Sequence, residues 1–213
     1  METMAAIPKS LTRSELRAHR AGFWLAMATN GVFFLTLVMT RLLVARGSVP
    51  AVVNQSAGFG LVVAMVISAL VGRSSLRAMR EDNRDGARTR LLVTALIGSA
   101  ILIGGAVVWM TTPLPPTNLN VSSSLLVHYG PGSYPASTSI PHPVGLYGQI
   151  FFTLTGLVAL ESLIGVGTLW SHWIRGRFQR LSPGNYWGLE AAISFWGFMT
   201  VMWVAAYVVL YLV

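Results

Sequence analysis

Residues 91–110 read LLVTALIGSAILIGGAVVWM, a run without Lys, Arg, Asp, Glu or His. At 1.5 Å per residue, a helix of this length covers about 30 Å, the thickness of a bilayer's hydrocarbon core. In lipid no water satisfies the backbone amides and carbonyls, so such a run has to be helical. Its two flanks differ sharply in charge. Upstream stand Arg73, Arg77, Arg80, Arg84, Arg88 and Arg90, read as the loop before the helix, whereas residues 111–143 downstream contain no Lys, Arg, Asp or Glu. The run therefore predicts a membrane span with one basic and one uncharged side.

Working outward, four further stretches are long and apolar enough to span: about 22–44, 52–72, 144–171 and 186–213. Together with 91–110 they predict an all-α polytopic membrane protein of five transmembrane helices, a single transmembrane domain over 1–213. Trp24, Trp109, Tyr147, Trp170, Trp173, Tyr186 and Trp187 lie near the ends of these stretches, as interfacial aromatics do. Lys9, Arg13, Arg17 and Arg20 precede the first stretch, and Arg175, Arg177 and Arg180 join the fourth to the fifth. Of the 15 basic residues, all but Arg41 and Arg46 thus fall on one side. By the positive-inside rule the N-terminus is cytoplasmic and the C-terminus outside.

Composition agrees with a lipid environment: 54% of the residues are hydrophobic and 10% charged, against about 25% charged in soluble domains. The charge map accounts for the basic excess as topology, so no nucleic-acid partner is expected. The chain has no cysteine, which excludes disulfides, iron–sulfur clusters, thiolate metal sites and a cysteine nucleophile. The first apolar stretch exceeds the 7–15 residues of a signal-peptide core and reads as a retained helix. The outer segment 111–143 holds seven of the 10 prolines and predicts an irregular, extended connection. Its lack of carboxylates leaves few groups to titrate in an acidic exterior.

Ionisable groups within a span are costly and mark places of interest. Three polar residues are candidates: Asn30, Glu161 and Glu190. Counted along the helices, Asn30 lies roughly 12 Å, Glu161 roughly 15 Å and Glu190 about 6 Å from the basic ends of their spans. Asn30 and Glu161 share a depth, and an amide hydrogen-bonds a carboxyl in either protonation state. Two readings of Glu161 follow: a contact with Asn30 between the first and fourth helices, or a protonated packing residue bonded to a backbone carbonyl or Ser162. A proton relay needs a chain of polar partners, and Thr153, Thr155, Ser162 and Thr168 are what the fourth helix offers. His19, His128, His142 and His172 all lie outside the middle of the membrane, where a haem or binuclear copper site would need imidazole ligands. No catalytic, cofactor-binding or metal-ligating residue is expected on this chain. Gly98, Gly104, Gly105, Gly156, Gly165 and Gly167 on the third and fourth helices predict close helix packing.

Three stretches together resemble subunit III of the haem–copper oxidases, the cytochrome c oxidase family, in its five-helix form. They are Gly22-Phe-Trp-Leu-Ala-Met-Ala-Thr-Asn-Gly-Val-Phe-Phe34, Phe151-Phe-Thr-Leu-Thr-Gly156 continuing to Leu163-Ile-Gly165, and Tyr186-Trp-Gly-Leu-Glu-Ala-Ala192 followed by Phe195-Trp196, Phe198 and Trp203. The resemblance implies an accessory, redox-inactive subunit of a bacterial respiratory terminal oxidase in the inner membrane, which reduces oxygen to water and translocates protons. Its haem and copper are expected on partner subunits. It implies direct packing on subunit I, membership of the same complex as subunit II and a small subunit, and bound phospholipid. The sequence departs from the family's intramembrane polar set, with Asn30 in place of a Glu, Val158 and Glu161 in place of two histidines, and Gly197 and Thr200 in place of His and Asp. Glu190 alone remains in place. The departures bear on the family's proton-entry role rather than on its fold or docking, and they leave a nitric oxide reductase accessory protein as an alternative. A small transporter would need a polar path, for which two acids without a charged partner at matching depth are a poor start.

Overall fold

A computed structural model describes residues 12–44, 49, 53–112, 117–119, 140–142, 146–178 and 186–213. Among the described residues, five helices are long and apolar enough to cross a membrane. They are α1 (Arg13–Val44), α2 (Gln55–Arg80), α3 (Arg84–Thr111), α4 (Leu146–Phe178) and α5 (Trp187–Tyr207), the last continued by a π-helical turn, Val208–Leu212. The reading of five membrane-spanning helices holds.

Most of the helices run past the apolar stretches on their basic sides. Arg, Ala, Leu, Met and Glu are good helix formers, so nothing in the charged flanks stops the helix where the lipid does. The segment read as a loop between the second and third spans is mostly helix. Only Glu81, Asp82 and Asn83 join α2 to α3, with Asp82 at φ 54°, a left-handed conformation that Asp tolerates. Asn83 caps α3 by accepting from the Gly86 N–H at 2.9 Å, and Asn54 caps α2 by accepting from Ala57 N–H at 2.9 Å. At the start of α1, Thr12 and Glu15 form a capping box, with Thr12 N–H to Glu15 Oε2 at 2.8 Å and Glu15 N–H to Thr12 Oγ1 at 3.3 Å.

The outer segment is not wholly irregular. β1 (Thr117–Leu119) and β2 (Ile140–His142) pair antiparallel, Thr117 opposite His142 and Leu119 opposite Ile140. Proline lacks an amide donor, and Pro141 takes the middle of β2, facing Asn118. This pairing depends on residues far apart in sequence, which local turn chemistry does not reveal.

Four helices close a ring: α2 packs on α3, α3 on α4, α4 on α5, and α5 back on α2. α1 lies outside this ring, against α5 and α4. Large apolar side chains such as Leu25, Phe33, Ile67, Leu70, Ile103, Leu160 and Val201 point outward. Lipid is as apolar as leucine, so the ring is held by packing and interhelical hydrogen bonds rather than by escape from water.

Those hydrogen bonds follow one pattern. Trp196 Nε1 of α5 donates to Ser68 Oγ of α2 at 3.0 Å, and Trp203 Nε1 to Ser162 Oγ of α4 at 2.9 Å. Between α3 and α4, Trp109 Nε1 donates to Thr155 Oγ1 at 2.8 Å, and Trp170 Nε1 to Ser99 Oγ at 3.1 Å. Ser68 passes its own proton on to Thr94 C=O at 3.2 Å, and Ser75 Oγ donates to Ala87 C=O at 2.7 Å. The α2–α3 pair is therefore stitched over the half nearest its connecting turn. Each indole is a bulky plug with one polar handle, and each handle meets a hydroxyl on the next helix.

Candidate functional site

The candidate polar residues fall where α1 meets the ring. On the basic side, Arg20 of α1 pairs with Glu190 of α5, its guanidinium nitrogen 2.9 Å from the carboxylate. The same guanidinium lies 5.3 Å from the centre of the Trp187 ring, and Phe23 meets that ring edge-on at 5.9 Å. Glu190 thus has a charged partner, which overturns the reading of two acids without one. Arg20 serves as a tether for α1 as well as a topology charge.

About 15 Å further along α1, Asn30 lies beside Glu161 of α4, its amide in reach of a side-chain hydrogen bond to the carboxyl. Gly31 seats itself against Phe198 of α5, where an added methyl would stand 3.6 Å from the ring. The bond seen at Ser162 is the one its hydroxyl accepts from the Trp203 indole. Asn30 and Glu161 come together; Glu190 forms a separate cluster nearer the surface.

A third attachment was not read as a site from the sequence. Arg41, near the far end of α1, is buried at 2% exposure, with its guanidinium 5.1 Å from the centre of the Tyr147 ring. Tyr147 in turn donates to the Leu210 carbonyl in the π-helical turn. A buried arginine over an aromatic face keeps a cation–π contact in low dielectric. Its position at the end of an apolar stretch had placed Arg41 among the residues of the outer side. The signal that could have found it is that it interrupts the run from Leu35 to Val44.

The chemistry open to this arrangement is limited by how its hydroxyls are used. Thr155 accepts from Trp109 and donates to Phe151 C=O at 2.5 Å, Ser162 accepts from Trp203, and Thr168 donates to Gly165 C=O at 2.7 Å. The protons of Thr155 and Thr168 are therefore spent on their own helix, and Ser162 serves as an acceptor for α5. His19 is exposed on the extension of α1, and His172 at the basic end of α4 contacts Thr168 C=O through Nδ1 at 2.8 Å. His128 lies outside the described residues. Among the described residues, no three His, Cys, Asp or Glu side chains come together as a metal site would require.

Of the glycines expected to pack helices, Gly98, Gly104, Gly156 and Gly165 do so, each with a neighbouring side chain at 3.2 Å or less from an added methyl. Gly105 has only Trp203 nearby, at 3.9 Å, and Gly167 faces open space.

In comparison with known proteins, residues 126–213 match the family model of cytochrome c oxidase subunit III. Human cytochrome c oxidase subunit 3 is 30% identical over 131 residues, covering 56% of this chain and 50% of the human protein. The subunit 3 of Papio hamadryas is 37% identical over 67 residues, 32% of this chain and 26% of its own length. That of Lumbricus terrestris is 36% identical over 73 residues, 31% and 26% respectively. The chain thus spans about a quarter to a half of the length of these relatives. The matched region includes α4 and α5, and hence Glu161, Glu190 and the tryptophans of α5.

Proposed function

Taking the chain as a relative of cytochrome c oxidase subunit III, we propose that it is an accessory subunit of a respiratory terminal oxidase and carries no redox chemistry itself. The complex would reduce oxygen to water and translocate protons, with haem and copper on the partner subunits. This chain would pack against subunit I and, through the complex, join subunit II, with phospholipid between its helices. In this reading it lies in a bacterial cell membrane, basic side inward, N-terminus in the cytoplasm and C-terminus outside.

The observation that carries the reading is the family match over residues 126–213. Two physical features support it. The polar groups of the ring are used to hold helices together, which suits a rigid body offering shape to a neighbour. The outward surface is apolar on every helix, which suits lipid and partner helices alike. Asn30, Glu161 and Glu190 are then docking residues for α1, and Asn30 with Glu161 keeps one acid at mid-depth without an evident relay around it.

Purification from the native membrane through a tag on this chain tests the proposal. A haem–copper subunit should co-purify, visible in the reduced-minus-oxidised absorption spectrum and identified by mass spectrometry. Isolation as a lone homo-oligomer that conducts ions would overturn it.

A further inference from the structure

We propose that a cavity beside Trp203 is a binding site for one small apolar molecule, of the class of xenon or dioxygen. The cavity has a volume of about 120 Å³ and lies between the four ring helices, walled by Leu61 of α2, Gly105 and Trp109 of α3, Thr155 and Ala159 of α4, and Trp203 of α5.

The polar groups of Thr155, Trp109 and Trp203 on its wall are already engaged. The Thr155 hydroxyl accepts from Trp109 Nε1 and donates to Phe151 C=O, and Trp203 Nε1 is spent on Ser162. Tyr211 also lines the cavity and adds one hydroxyl, fewer than the two to four polar partners a buried water needs. Apolar cavities of about 150 Å³ stay dry and take up benzene or xenon. This volume admits one such molecule but only the tip of an acyl chain.

The space exists because of what the sequence puts opposite the indole. Two turns away on the same helix, a methyl on Gly98 would strike Val166 at 2.9 Å and Trp196 at 3.0 Å, so no room is left. At Gly105 a methyl would only touch Trp203 at 3.9 Å, with space beyond it, and Ala159 across the gap is equally small. Trp109 and Ala106 on this wall are exposed to the lipid side, so an apolar gas dissolved in the bilayer has a short way in. The ligand class follows from the cavity alone. The interest of dioxygen within that class rests on the oxidase reading above.

The test uses the full chain in lipid nanodiscs under xenon pressure, followed by 129Xe exchange NMR. A saturable bound-xenon signal is expected. It should be lost in Gly105→Leu, which fills the cavity from α3, and in Ala159→Leu, which fills it from α4. It should persist in Gly167→Leu, where the added bulk points into open space. Circular dichroism identifies a variant that fails to fold, and the filling variant from the other wall then decides. Absence of a saturable signal, its survival in the filled variants, or a diffraction map of the unpressurised protein showing water or a lipid chain in the cavity would overturn the proposal. Xenon binding does not depend on oxygen reduction, so its failure would leave the accessory-subunit reading intact, and the reverse also holds.

Discussion

Trp196 and Trp203 stand on one face of α5, two turns and about 10 Å apart, and each gives its indole N–H to a serine of another helix. Around Trp196, Gly98 and Gly165 close in so tightly that a methyl on either would lie at 3.0 Å or less from a ring atom. Around Trp203, Gly105 and Ala159 leave the ring beside an empty space of about 120 Å³. The same hydrogen-bonded residue on the same helix thus makes a solid layer in one half of the membrane and a hollow one in the other. The hydroxyl partner fixes where the ring points, and the small residues opposite decide whether the layer is full. In lipid such packing weighs heavily in stability, because apolar burial alone does not drive helices together.

The largest effect should come from removing the rings. Trp196→Ala is expected to cost about 3–5 kcal/mol of bundle stability, read by denaturant unfolding in nanodiscs. Trp203→Ala should cost less, because its ring already lacks neighbours on one side; equal losses would break the comparison. Next come the glycines. Gly98→Ala should destabilise by about 1–3 kcal/mol through overpacking, whereas Gly105→Ala should fall within about 0.5 kcal/mol of the parent, and a large loss there would mean that the space is not open. Smaller again are the hydrogen bonds: Trp196→Phe and Trp203→Phe should each lose about 0.6 kcal/mol for the indole–serine bond alone, similar in both layers, with any excess at Trp196 reporting packing. A small effect is also expected of Arg20→Met, which breaks the ion pair with Glu190. Its side chains are 46% and 24% exposed, so the loss should be below about 1 kcal/mol and shrink as salt rises. It should also add independently to either tryptophan change, as distant sites do.

Much of this architecture could be read before any coordinates. The uncharged run 91–110 and its four companions fix the number and kind of helices, because lipid leaves a long apolar segment no alternative to a helix. Their ends could not be read in the same way: the arginines that stop the lipid-facing run do not stop the helix, and residues 73–90 became a tight helical pair rather than a loop. Among the polar residues, Asn30 and Glu161 were matched by counting depth along two helices, a one-dimensional argument that survives folding. The partnership of Arg20 with Glu190 escaped because Arg20 was read only for the side it marks. The tryptophan–serine bonds were illegible for a different reason. Trp109 and Trp170 fit an interfacial belt equally well, and nothing local in Ser68 or Ser162 names the indole that will find it.

The placement of α1 outside the ring has a consequence for how the chain is made. α1 leaves the ribosome before the other four helices, yet the side chains it docks on belong to α4 and α5, the last two of the five. The α2–α3 pair needs only its three-residue turn to assemble. During synthesis α1 must therefore wait alone in the bilayer, with Arg41 and Asn30 uncovered, until the last helix is delivered. A ribosome stalled just before Trp187 should hold a paired α2 and α3 beside a first helix that a crosslinker still finds surrounded by lipid or by the insertion machinery.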